Sequence, residues 1–330
     1  MGINTSCGDL EYIDFSDPTH LWDILYEDKH TRVEGLCSEV AFMEDIVKGN
    51  LDPVTGDFWF SLEGPLDAAG RYHVRKIITD TSVPLTELDY QVLDKFASLQ
   101  PVIPVSVVYF DEPGRAFRHF YHHEGARYSS VDGLGTVMPP RVNPRQATEK
   151  DRDRERITKA CGYLEGRGLL KEMAIKRLFA NCWLGDTVWD VDVFTRSPTG
   201  RLVAFEVKQK YPTAGNTYGV NDGQKMLFDF FRNCEIPVVH VILKKPERNS
   251  FLHGIDLLTK PIYTHRTDWI FTHIKPENMI HSDYNAPKYT SMSGQSDMGY
   301  YNVHADHFIF LKKLGRPAEG VREKLLAGLE

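Results

Sequence analysis

From residue 169 onward, apolar and polar positions fall into a legible series. Leu169, Ile175, Phe179 and Cys182 share one stripe at helical spacing, with Glu172 the polar interruption in it. That predicts a helix over 169–183, stopped by Gly185. A strand follows over 188–195, then the turn Ser197-Pro198-Thr199-Gly200 and a second strand over 201–209. A loop with Pro212, Gly215 and Gly219 leads to a helix opening at Asn221 or Asp222 and ending near Asn233. Leu227, Phe228 and Phe231 line one face of that helix, with Gln224 the polar member of the stripe. Residues 236–243 are almost continuously apolar, as in a strand buried on both faces. The order is α-β-β-α-β.

The preceding part reads as α+β. Leu88, Val92, Phe96 and Leu99 keep helical spacing behind Thr86, a suitable N-cap. Residues 102–110 and 116–121 read as strands around the turn Asp111-Glu112-Pro113-Gly114, and 58–62 and 72–78 as weaker strands. Proline-rich 138–145 can sustain neither helix nor central strand, and a highly charged helix is expected over 148–164. These observations predict an N-terminal α+β domain over 1–140 and a second, α/β domain over 141–330.

Charge follows the same division. Residues 1–140 hold 23 acidic and 10 basic side chains, whereas the rest hold 23 acidic and 29 basic. A basic C-terminal part suits a phosphate-rich partner. The five cysteines, Cys7, Cys37, Cys161, Cys182 and Cys234, include no CxxC pair, which argues against a zinc ribbon or a disulfide scaffold and suggests a reducing cytoplasm. No apolar run is long enough to span a membrane.

Chemistry concentrates in the hairpin. A three-residue loop at Pro198-Thr199-Gly200 places Ser197 opposite Arg201. Counting back, Asp192 then faces Glu206 and Asp190 faces Lys208. Alternation puts these four on one face and Val191, Val193, Val203, Phe205 and Val207 on the other. Opposed carboxylates stand roughly 4.5–5.5 Å apart at Cβ and repel unless a cation lies between them. A hard divalent cation answers that need.

Trp189-Asp190-Val191-Asp192-Val193-Phe194, followed by Phe205-Glu206-Val207-Lys208, resembles the signature of the PD-(D/E)xK nucleases. The preceding helical acid of that family is matched in position by Glu172. Gln224-Lys225-Met226-Leu227-Phe228 resembles the Gln-containing helix of its RecB-like branch, with Phe228 in place of tyrosine. The family's proline is absent, since Val191 precedes Asp192. The resemblance implies a restriction-endonuclease-like core and a Mg2+-dependent nuclease, with Mn2+ as a substitute. Glu172, Asp192, Glu206 and the Val207 carbonyl would hold metal, with Asp190 as the lower-ranked alternative ligand. Lys208 would assist the attacking water and Gln224 would orient groups at the site. Lys210 and Lys225 would touch nucleic-acid phosphate. DNA is the expected substrate, cut in restriction or defence, with a homodimer for two strands. A repair exonuclease, or a fold that binds nucleic acid or protein without cutting, are the alternatives.

His304 and His307 form an HxxH pair, which reads as ordinary core or surface histidines. The aromatic and Asn/Ser-rich stretch 283–302 reads as a recognition loop or a connection.

Overall fold

The structure, a computed structural model, describes residues 10–51, 54–63, 71–141, 147, 152–184, 188–249, 252–282 and 299–329. Much of the expected linker, with Arg145, and most of the stretch 283–302 lie outside the described residues, as do Cys7, Lys150 and Gly185. The described residues form a mixed α/β protein with three sheets and nine α-helices. They pack as two units, neither continuous in sequence: 1–36 with 57–190, and 37–56 with 191–330.

The first unit holds helix α1 (Pro18–Tyr26) and the start of α2 (His30–Phe42), then strands β2 (Phe58–Glu63) and β3 (Arg71–Ile78). Helix α3 (Glu87–Ala97) follows, with β4 (Val105–Asp111), β5 (Ala116–Tyr121) and β6 (Thr136–Val137). Helices α4 (Arg154–Glu165) and α5 (Leu170–Cys182) and strand β7 (Val188–Val191) complete it. Its sheet runs β6-β5-β4-β3-β2-β7, parallel only between β3 and β4 among the registers described. Thr86 caps α3 as expected, in a reciprocal capping box with Asp89.

The expected boundary at 140 assigned α4 and α5 to the C-terminal half, but both pack on α1 in the first unit. Their apolar stripes are the reason. Ile157, Ala160, Cys161 and Leu164 of α4 are buried. Phe179 of α5 meets Phe117 of β5 at 4.9 Å between ring centroids. Asp28, 1% exposed, receives Arg177 of α5 at 2.5 Å, with Arg32 at 3.4 Å. Burial alone would raise the Asp28 pKa, but the two guanidinium groups overcome it and hold the carboxyl below its usual range.

The second unit is built on the sheet β1-β8-β9-β11-β12-β15. Its strands are β1 (Val54–Thr55), β8 (Val193–Arg196), β9 (Leu202–Lys210), β11 (Val238–Lys244), β12 (Asp268–His273) and β15 (Ile309–Lys313). Strands β9 and β11 are parallel, joined through helix α6 (Asp222–Asn233), and their neighbours are antiparallel. Beside it lies a small sheet, β10-β14-β13, of β10 (Thr217–Asn221), β13 (Ile280–His281) and β14 (Tyr300–His304). Strand β10 occupies what the sequence suggested was loop. Short helices α7 (Gly254–Thr259), α8 (Pro261–Thr264) and α9 (Val321–Leu326) complete the unit.

The core of the second unit gathers Phe42 at the end of α2, Val203, Phe205 and Val207 of β9, Val239 and Val241 of β11, and Trp269. Phe42 lies 5.8 Å from both the Phe205 and Trp269 rings. Fully burying each such side chain contributes about 1.5–3 kcal/mol. Asp45 fastens the end of the helical segment, accepting from Trp269 Nε1 at 2.8 Å and Lys312 Nζ at 2.7 Å. Cys37, Cys161 and Cys234 are buried, whereas Cys182 is disulfide-bonded, against the expectation of reduced cysteines throughout.

Candidate active site

The register predicted for the hairpin is the one observed. Val193 pairs with Phe205 and Arg196 with Leu202, so Asp192 falls beside Glu206. The expected continuous strand is broken, however. Strand β7 ends at Val191 in one sheet and β8 begins at Val193 in another, with Asp192 at the bend between them. Asp190 therefore does not stand opposite Lys208 in the ladder. At the bend, Asp192 turns its Oδ2 to the Val207 N–H, 2.5 Å away. Within a strand, N–H and C=O of one residue leave on the same side, so the Val207 carbonyl points to this side as well. The bend also requires Gly56: a Cβ there would lie 2.8 Å from the Asp192 carbonyl oxygen.

Alternation along β9 sends Val203, Phe205 and Val207 into the core and Glu206 and Lys208 to the opposite face. Glu206 is 6% exposed. Its Oε1 accepts from Lys208 Nζ at 2.7 Å and from Gln224 Nε2 at 2.9 Å. Gln224 is held in place by the start of α6, where the Asn221 side chain caps its backbone N–H at 2.8 Å. A buried carboxylate is thereby given a cation and an amide donor.

Helix α2 supplies what the sequence reading missed. Its C-terminal part, from Cys37 onward, belongs to the second unit, and Ser38 Oγ accepts from Gln209 Nε2 of β9. The next residue, Glu39, brings a carboxylate oxygen within 4.8 Å of one on Asp192. Both carboxylates of this group are half-buried. Oxygens on opposite sides of a bound Mg2+ stand about 4.2 Å apart, so small side-chain rotations would let the group take an ion.

Glu172 is placed elsewhere. It lies on α5 in the first unit and binds Lys176 Nζ at 2.5 Å, which also reaches Asp57 at 2.5 Å. Its intrusion on an apolar stripe is thus resolved by a lysine one turn on. Burial alone would lower the pKa of Lys176, but the Asp57 and Glu172 carboxylates outweigh it and hold the amino group above its ordinary value.

Lys210 donates to the Gly219 carbonyl. Burial, then the charge of Lys208, pull its amino group down to about 8. Lys225 pairs with Asp229 and lies 5.3 Å over the Tyr301 ring. His240 of β11, fully buried, is the register neighbour of Glu206, and its Nδ1 lies 3.1 Å from the Glu206 carbonyl oxygen. Burial first, then Lys210 and Lys208, hold its pKa well below the ordinary value, so it stays neutral and donates from Nδ1. His304 caps a short 3-10 turn and pairs with Asp306 at 3.1 Å, which accounts for half of the HxxH pair without metal.

No protein-family profile, no curated protein and no solved structure matches the chain. No helix among the described residues is long and apolar enough to cross a membrane.

Proposed function

We propose that the chain is a divalent-cation-dependent nuclease of the PD-(D/E)xK type, an endonuclease acting on DNA. The observation that carries this reading is the joint placement of Asp192, Glu206 and Lys208. A hairpin in the expected register brings them together, with Gln224 on Glu206 and a helical acid, Glu39, beside Asp192. Asp192 and Glu39 would hold Mg2+ or Mn2+, with Glu206 and the Val207 carbonyl as further oxygen donors. A bound cation lowers the pKa of its water and polarises a phosphate oxygen. Lys208 then serves the chain's own part: its ammonium, anchored on Glu206, offsets charge that builds on the phosphate as the P–O bond breaks. Gln224 keeps Glu206 aimed.

For a duplex substrate the reading includes two copies of the chain, one per strand, checked by light scattering with and without DNA.

The test is cleavage of supercoiled plasmid, linear DNA, single strands and RNA with Mg2+ or Mn2+, comparing wild type with Glu206→Ala and Lys208→Ala. Cutting by wild type alone supports the reading, and closed circles distinguish an endonuclease from an exonuclease. A folded wild-type protein inert on every substrate refutes it and leaves a nuclease-like binding fold.

A further inference from the structure

The small sheet β10-β14-β13 has two unlike faces. Directly opposed residues of an antiparallel pair share a face. Tyr218, Val220 and Val303 fall on one face and are buried. Thr217, Gly219, Asn221, Tyr300, Asn302 and His304 fall on the other, joined across β13 by Ile280. None of these side chains is acidic, and His304, at the end of the strand, is turned to Asp306 at 3.1 Å. Ile280 is 63% exposed, and Thr217, Tyr300 and Asn302 are half-buried. Gly219 lets the Tyr300 ring lie against the β10 backbone, since a Cβ there would fall 1.8 Å from the ring's Cζ.

This face is continuous with the candidate active site inside the second unit. Lys210, on β9 two residues beyond Lys208, donates to the Gly219 carbonyl. Strand β10 runs directly into α6, where Asp222 accepts the Gly299 N–H at 2.6 Å and Gln224 reaches Glu206. The first turn of α6 therefore touches both the small sheet and the buried carboxylate. Lysines crowd the end of β9, enough that Lys208 helps depress the Lys210 pKa.

We propose that the solvent face of this sheet carries single-stranded nucleic acid, its bases against Tyr300 and Ile280 and its phosphates passing Lys210 toward Lys208. The proposal rests on the reading of the site as one that cleaves phosphodiesters. A face that carries an aromatic ring and an apolar side chain and no carboxylate, bordered by lysines, matches a strand whose base faces are open. A duplex hides those faces in its own stack and offers phosphates and groove edges instead, which give the Ile280 side chain and the Tyr300 ring no base to stack on. A single strand also needs only one active site, so no second copy of the chain is required.

The experiment is fluorescence anisotropy with the full chain, using a labelled oligo-dT of about 20 nucleotides and a duplex of equal length, with Ca2+ replacing Mg2+ to hold back cleavage. Single strand should bind at least about tenfold more tightly than duplex. Ile280→Glu and Tyr300→Ala should each weaken single-strand binding by about tenfold, the scale of one lost base–aromatic contact. Because Tyr300 packs on Gly219, Ile280→Glu, at an exposed position, is the decisive variant, with its fold checked by circular dichroism. Duplex binding as tight as single strand, or undiminished single-strand binding by folded Ile280→Glu, overturns the proposal. If Ile280→Glu loses the single strand while wild type cuts nothing, the strand-binding face stands and hydrolysis falls. If wild type cuts duplex and Ile280→Glu cuts single strands like wild type, the reverse holds.

Discussion

Replacing Glu39 by glutamine separates an ion site from a chance meeting of acids. Its carboxylate oxygen lies within 4.8 Å of one on Asp192. Two unit charges at that distance repel by about 3.5 kcal/mol at an effective dielectric near 20. Both residues are half-buried, so solvent and side-chain rotation leave about 1 kcal/mol of that. In EDTA, Glu39→Gln should therefore raise Tm by about 2–4 °C. Mg2+ should reverse the order. For a wild-type Kd near 0.1 mM, about 10 mM Mg2+ stabilises by about 2.7 kcal/mol. A tenfold loss of affinity in the variant cuts that to about 1.4 kcal/mol. Differential scanning calorimetry across a MgCl2 series reads both effects. Glu172→Gln is the control: it loses the Lys176 ion pair and should keep the full Mg2+ gain. If Glu39→Gln melts lower than wild type in EDTA and keeps the full gain, the acidic group is not where the ion binds.

Four further outcomes follow from the same geometry. Gln224→Ala removes one of two side-chain donors to buried Glu206 and should cost about 1–3 kcal/mol in urea unfolding, along with most of the activity. Gly56→Ala places a Cβ 2.8 Å from the Asp192 carbonyl and should lower cleavage by about tenfold or more through displacement of that residue, measured as kcat/KM. The amino group of Lys210 titrates near 8 in the fold against about 10.4 in the unfolded chain. The unfolded state then binds more protons between those values, so the penalty is full below about pH 8 and gone above about 10.4. The Tm of Lys210→Met relative to wild type should accordingly fall as pH rises from 7 to about 10.5; a difference that does not vary with pH contradicts this. Arg177→Met leaves buried Asp28 with Arg32 alone, at 3.4 Å, and should cost about 3 kcal/mol at pH 7. Because the Asp28 pKa is depressed, the wild-type advantage should be complete above about pH 4 and shrink as pH falls through the lower folded value, seen in urea titrations at stepped pH.

The parts of the site legible in the sequence are those governed by local rules. A short turn closed by Gly200, at φ 83°, sets which residues of β8 and β9 face each other, so Glu206 and Asp192 could be paired by counting. The Gln224 stripe was likewise readable, because helical spacing puts residue 224 over the same sheet as Leu227, Phe228 and Phe231. The break at Asp192 was not readable. Residues 188–195 alternate as one strand would, and only the pairing of β7 and β8 in separate sheets interrupts them. Nothing within eight residues encodes which sheet a strand joins.

The exchange of Glu172 for Glu39 has the same origin. Both glutamates sit on helices beside apolar residues, and helical periodicity alone cannot say which strand a helix covers. Glu172 has Lys176 one turn on, a pairing that satisfies it locally and could have been noticed. Glu39 follows Ser38, whose contact with Gln209 docks the helix on β9, and the two residues are about 170 positions apart. A polar residue whose partner lies that far along the chain leaves no local trace. The helical acid of such a site is therefore better sought from the strand outward: Gln209, one residue past Lys208, is the side chain that selects the helix.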